Sequence, residues 1–267
     1  MPIFRRDNIS FYFEEYGSGP SFVFSHGLGG NLAQTRELIG DLPNVRLILY
    51  DNRGHGRTSG VGDPERLNFS VMADDLAGLL AFLAIPAAMV GGVSMGAGIS
   101  LAFGLRYPGY AKGLILSRPA WLNVPQPPNL AVFPKIADMV EQFGREGALK
   151  HFRKSNLFVS LKRTAPETAR SLAGLFLDRS ASAIVSTFRS IPASAPFHSF
   201  DELKMLNVPT LILANRNDPI HPFHYSQRLA AAIPNARLCE FPSKSESLEL
   251  HQRHFRDLLA DFLNSYF

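Results

Sequence analysis

The pentapeptide Gly92-Val93-Ser94-Met95-Gly96 constrains this chain more than any other feature. It follows the apolar run Ala88-Met89-Val90-Gly91 and precedes Ala97–Arg106, which reads as a helix. A serine on a sharp strand-to-helix turn is held in a strained conformation, so its neighbours must be small enough to avoid collision. Gly92, Gly96 and Gly98 provide that room. The helix beginning just after Ser94 turns its N-terminal N–H groups toward the serine, a setting that favours developing negative charge. Ser94 is therefore the candidate nucleophile.

The surrounding sequence supplies a sheet to carry this turn. Ile9 to Glu14 alternates like an edge strand and is followed by the turn Gly17-Ser18-Gly19-Pro20. Ser21–Ser25 and Arg46–Tyr50 are continuous apolar runs, and Lys112–Leu116, Pro209–Leu213 and Ala236–Phe241 read as three further buried strands. Ser70 to Ala84 has helical periodicity, with Val71, Leu76, Leu79, Leu80 and Leu83 toward one side. Apolar strands alternating with helices predict an α/β fold with a mostly parallel central sheet flanked by helices. Such sheets bind ligands beyond the carboxyl ends of their strands, where His26–Gly30, Asp51–Gly56, Ser94 and Asn215–Asp218 all fall.

One stretch breaks the alternation. Trp121 to Phe200 offers helical segments, Leu130–Phe143, Glu146–Ser155 and Pro166–Leu177, between the proline-rich joints Val124–Pro128 and Ile191–Pro196. The expected organisation is a core of residues 1–120 and 201–267 with a helical cap inserted at 121–200. The cap's Phe133, Phe143, Phe152 and Phe158 are expected to pack between its helices, with one or two lining a pocket.

Composition narrows the partners. With 267 residues, 46% hydrophobic and 19% charged, the chain can bury a large core. The longest apolar stretch, Leu79 to Val90, is broken by Pro86 and too short to span a bilayer. Cys239 is the single cysteine, so an intrachain disulfide is excluded. A cytoplasmic protein with no membrane span is the expectation. The net charge of +4 comes from scattered Lys and Arg, without the interleaved aromatics of a nucleic-acid groove. The expected partner is a small-molecule substrate and not a nucleic acid. The His221/His224 and His251/His254 pairs have i, i+3 spacing, but no cysteine or carboxylate set completes a metal shell there.

The loop His26-Gly27-Leu28-Gly29-Gly30 adds chemistry. The Leu28 N–H, together with that of Met95, is placed to form an oxyanion hole, while His26 reads as a brace for the loop. Arg118, at the active end of a strand, is suited either to a substrate carboxylate or phosphate or to pairing with a protein carboxylate. Arg216 reads as a brace for the loop carrying Asp218, and Trp121 joins the candidate substrate contacts.

Together these residues resemble the α/β-hydrolase-fold superfamily outside Trp121–Phe200. The marks are the His26-Gly27 loop, Asp51-x-Arg53-Gly54-His55-Gly56-x-x-Ser59, the turn at Ser94, and Asn217-Asp218-x-x-x-Pro222. The resemblance implies that the second segment is structural, that Asp218 is the acid orienting a catalytic imidazole, and that the histidine follows it in the chain. It implies a serine hydrolase acting on a small or medium ester, lactone or related acyl compound, without a cofactor. The histidine departs from the family pattern. A Gly-His pair is expected after the last strand, but Ser245 or Glu246 holds that position, and His251 comes a few residues late. His251 is the expected base, by a rearranged loop or an early helical turn. His221, near the mouth of the site, and His254 are its rivals. Two other readings stay open on the same fold: a cofactor-free lyase or oxygenase, and a non-catalytic ligand-binding pseudoenzyme.

Overall fold

In the computed structural model, residues 3–58, 60–177 and 179–267 are described. Ser59 of the Asp51 motif lies outside them. Eight strands form one sheet: β1 (Ile3–Arg6), β2 (Ile9–Tyr16), β3 (Ser21–Ser25), β4 (Arg46–Tyr50), β5 (Ala88–Val93), β6 (Ala111–Ser117), β7 (Thr210–Ala214) and β8 (Ala236–Glu240). Their order is β1-β2-β4-β3-β5-β6-β7-β8. β2 runs antiparallel to both β1 and β4, and every other pairing is parallel.

The period-two pattern sorts the strand side chains onto two buried faces. Val23, Ile48, Val90, Leu114, Leu116 and Ile212 join one core. Phe22, Phe24, Leu47, Leu49, Met89, Ile115, Leu211 and Leu213 join the other. Helices α2 (Phe69–Phe82) and α3 (Met95–Arg106) cover the first face, while α1 (Leu32–Ile39) and the C-terminal helix cover the second. Two expectations about edges are corrected. β2 is not the edge strand, because Ile3–Arg6 pairs outside it. β8 is not buried, because as the opposite edge it leaves Arg237 and Glu240 exposed.

Between β6 and β7 the described residues form helices without strands: α4 (Val132–Lys154), α5 (Asn156–Thr164), α6 (Pro166–Gly174) and α7 (Ala181–Ser190). Gly144, at φ 65°, kinks α4 in two, matching the expected break between Phe143 and Glu146. α8 (Phe223–Ala232) and α9 (Leu248–Tyr266) complete the chain. Among the described residues no helix is long and apolar enough to cross a membrane.

Candidate active site

Ser94 stands between β5 and α3 with φ 58° and ψ −111°, a strained backbone for a residue with a side chain. Its N–H donates to the Ser117 carbonyl on the neighbouring strand at 2.9 Å, which locks the turn. The glycines are sterically required. A Cβ at Gly92 would run into the Gly96 backbone, one at Gly96 into the Ser25 carbonyl, and one at Gly98 into the Phe69 ring.

The loop after β3 packs directly on Ser94: a Cβ at Gly27 would lie 3.4 Å from Ser94 Cβ. Two buried imidazoles hold that loop. His55 donates from Nδ1 to the Arg53 carbonyl at 2.9 Å, leaving Nε2 to accept the Gly29 N–H at 3.0 Å. His26 donates from Nδ1 to the Gly27 carbonyl and accepts the Asn52 N–H at Nε2, at 2.8 and 3.0 Å. Burial pushes both imidazoles below their ordinary pKa, which preserves these acceptor lone pairs. Asp51 completes the brace by accepting the Leu32 and Arg57 N–H groups, each at 2.7 Å. Buried Arg53 grips Asp75 with two hydrogen bonds of 2.7 and 2.6 Å. The Leu28 and Met95 N–H groups have no acceptor among the described residues.

Ser94 opens into a cavity of about 540 Å³, whose walls include His26, Leu28, Arg118, Asp218, His221 and Lys244. Phe133 of α4 and Leu172 of α6 line it from the helical segment. The other expected cap aromatics lie elsewhere: Phe152 packs on Phe158 and Phe176, and Phe143 stacks on His151.

The structure brings Asp218 together with His221. His221 Nδ1 donates to Asp218 Oδ2 at 2.8 Å, and the Ile220 and His221 N–H groups donate to Oδ1 at 3.1 and 3.3 Å. Arg118 adds a longer contact of 3.5 Å to Oδ2. Burial by itself would raise the Asp218 carboxyl, but the His221 contact, Arg118 and the Ile220 N–H together hold it below the usual carboxylate range. For His221 the balance runs the other way. Burial depresses its pKa in spite of Asp218, so the neutral form prevails. Its Nε2 is buried and has no partner among the described residues.

His251, expected as the base, makes no hydrogen bond to Asp218 among the described residues, although Asp218 acts on it through space and its Nε2 is also buried without a partner there. Its ring is buried in the first turn of α9, packs 4.7 Å from Phe241, and donates from Nδ1 to the Pro242 carbonyl at 2.9 Å. It is absent from the cavity wall, and burial followed by Arg118 lowers its pKa to about 3. The cause is the loop after β8. Ser243 N–H donates to Glu246 Oε2, and Glu246 N–H donates back to Ser243 Oγ, each at 3.2 Å. Ser247 then caps α9 by accepting the Leu250 N–H at 3.2 Å. This tight turn commits His251 to the helix. Of the two expected approaches, it takes the early helical turn, in the first turn of α9.

Trp121 likewise does not reach the cavity; it is buried edge-on to Phe69 at 5.2 Å. Arg216 is on the surface, paired with Glu240 at 2.9 Å. His254 lies on α9 outside the cavity wall. Sequence reasoning missed Lys244, which lines the cavity. Among the described residues no cluster of His, Cys, Asp and Glu is arranged to hold a metal ion.

A mostly parallel eight-stranded sheet with a strained serine at the β5–α3 turn defines an α/β hydrolase. The chain belongs to the alpha/beta hydrolase fold family, whose sequence model matches residues 20–245. It is 27% identical over 269 residues to the AB hydrolase superfamily protein YisY of Bacillus subtilis, covering 97% of each chain. It is 25% identical to the bifunctional esterase/perhydrolase DCH of Acinetobacter calcoaceticus, covering 96% of each. The enol-lactonase of Burkholderia xenovorans shares the fold, with a TM-score of 0.79 and 22% identity over 98% of this chain and 100% of that one.

Proposed function

We propose that this hydrolase-family member is a serine esterase or lactonase in which Ser94 is the nucleophile, His221 the general base and Asp218 the acid that orients it. The observation that carries the reading is the His221 ring: Nδ1 is tied to Asp218, and Nε2 is unpartnered in a residue sharing a cavity wall with Ser94. A neutral imidazole with its lone pair on Nε2 is the form that accepts a serine proton.

In the mechanism, Ser94 Oγ attacks the carbonyl carbon while its proton passes to His221 Nε2. Asp218 stabilises the imidazolium, and the Leu28 and Met95 N–H groups receive the oxyanion. His221 then returns the proton to the leaving alkoxide, giving the acyl-enzyme. Water, deprotonated by His221, releases the acid. No cofactor is needed for these steps. Residues 121–200 serve as a cap, through Phe133, Leu172 and Leu175 on the wall. Relatedness to an esterase/perhydrolase supports the acyl chemistry. His251 takes a structural place under the α9 N-terminus.

A ligand-binding protein without turnover is the second reading. It is favoured by one observation: no hydrogen bond joins the Ser94 hydroxyl to an imidazole among the described residues. Turnover of p-nitrophenyl esters by the wild type, lost in Ser94→Ala, is the expected result. Equal rates in the two proteins would remove the serine mechanism, and no turnover in either would favour the binding reading.

A further inference from the structure

Two cations on the cavity wall, Arg118 and Lys244, make little or no direct contact with the carboxylates that share it. Arg118 follows β6 in left-handed backbone, φ 45°, with its N–H donated to the Leu213 carbonyl at 2.7 Å. Its side chain is 12% exposed, and its single ion pair among the described residues is the 3.5 Å contact from Nη1 to Asp218. Its Nε is buried without a partner among the described residues. A guanidinium carries five N–H donors, so this one is underused.

Lys244 projects from the turn that Ser243 and Glu246 pin from both sides. It lines the same cavity and has no carboxylate within ion-pair distance among the described residues. The wall carboxylates act on Lys244 through space, without an ion pair among the described residues. Asp218 accepts from His221, Glu167 pairs with Arg170 at 3.0 Å, and Glu37 is exposed on α1. Burial and then Arg118 depress the Lys244 ammonium to about 8, outweighing the opposite pull of Asp218, Glu167 and Glu37.

We propose that Arg118 and Lys244 form a recognition site for a carboxylate carried by the substrate beside its scissile ester. The proposal rests on the esterase reading for the word substrate, but the site itself is defined by binding. A carboxylate accepts from a guanidinium and an ammonium together. The turn at Ser243–Glu246 occupies the position where the family's histidine is expected. Moving the base to His221 leaves that position for a recognition lysine.

The test reads binding and turnover separately. In the Ser94→Ala protein, monomethyl glutarate carries the carboxylate on the acyl side, and O-acetyl glycolate carries it on the alcohol side. Each is compared by calorimetry with its neutral methyl ester. At least one acid should bind tenfold or more tighter than its methyl ester. That preference should fall at least tenfold in Lys244→Gln and be restored in Lys244→Arg, with thermal melting confirming that each variant is folded.

In the Ser94 protein, mono-p-nitrophenyl glutarate is compared with the p-nitrophenyl ester of the acid in which isopropyl replaces the carboxylate. When the acyl-side ligand is the preferred one, Lys244→Gln should lower the charged-to-neutral kcat/KM ratio through KM. No preference for either acid over its neutral ester, or a preference unmoved in Lys244→Gln, overturns the proposal. Absence of turnover with the binding preference intact would instead overturn only the esterase reading.

Discussion

The two sides of the cavity are built on different plans. On the nucleophile side, glycines with no room for a Cβ and a serine held at φ 58° leave the backbone no alternative. On the acid–base side, side-chain hydrogen bonds between loop residues decide the geometry: Asp218 to His221, and Ser243 to Glu246. Steric constraint on a backbone is written in local sequence, because only glycine satisfies it. A side-chain network admits several solutions on the same fold, and here the proposed base, His221, stands on the loop of the proposed acid, Asp218.

The sharpest way to break the comparison is to remove the two reacting groups. Ser94→Ala should lower kcat on the order of 10⁶-fold, with melting temperature nearly unchanged, as steady-state kinetics and thermal denaturation will read. His221→Ala should approach that loss, since members of a triad act as a unit. His251→Phe, which keeps an aromatic ring against Phe241 but abandons the Pro242 carbonyl, should cost stability more than rate. It should lower folding stability by about 1–3 kcal/mol, as measured by denaturant titration. A collapse of kcat in a folded His251→Phe protein would return the base to α9.

Packing on the nucleophile side gives the next effect. Gly98→Ala drives a methyl group into Phe69, and such overpacking costs about 1–3 kcal/mol of stability. An unchanged unfolding midpoint would show that α2 and α3 adjust more freely than the turn between them and β5.

A pH profile sharpens the acid–base side. His221 works as a base only when neutral, and burial lowers its pKa from the usual 6.5. For an uncharged ester, kcat/KM should be flat at neutrality and fall as the pH drops through a value below 6.5. An acid limb above 6.5 would mean that Asp218 outweighs burial in the free enzyme. The smallest effect belongs to the proposed cap. Leu175→Ala enlarges the wall opposite Gly29 and should move the acyl-length optimum toward longer chains, by about tenfold in relative kcat/KM.

Legibility follows the same division. Ser21–Ser25 and Arg46–Tyr50 match β3 and β4 residue for residue, because apolar runs end at polar turns. β1 is not legible in its own residues; Ile3-Phe4-Arg5-Arg6 is short and charged, and its pairing with Ile9–Tyr12 makes it a strand. Ala236–Glu240 reads as buried because apolar content does not reveal which strand has no outer neighbour. The Ser94 turn is legible from the glycine spacing, and the Asp218 loop from its place after a strand together with the family resemblance. The pairing of His221 had a signal: three residues after an aspartate, a turn whose His221 N–H donates to the Asp218 carbonyl folds the ring back. The Ser-x-x-Glu spacing at Ser243–Glu246 marked a tight turn ahead of α9, which keeps His251 in the helix.

The most direct measurement of the central claim is the rate of covalent labelling of Ser94 by a fluorophosphonate, followed by intact-protein mass in three proteins: wild type, His221→Ala and His251→Phe. The account predicts one adduct in the wild type, mapped to Ser94, a comparable rate in His251→Phe, and a rate reduced on the order of 10²-fold or more in His221→Ala, the usual scale of general-base assistance. Equal labelling in His221→Ala and wild type, or loss of labelling in a folded His251→Phe protein, would contradict it.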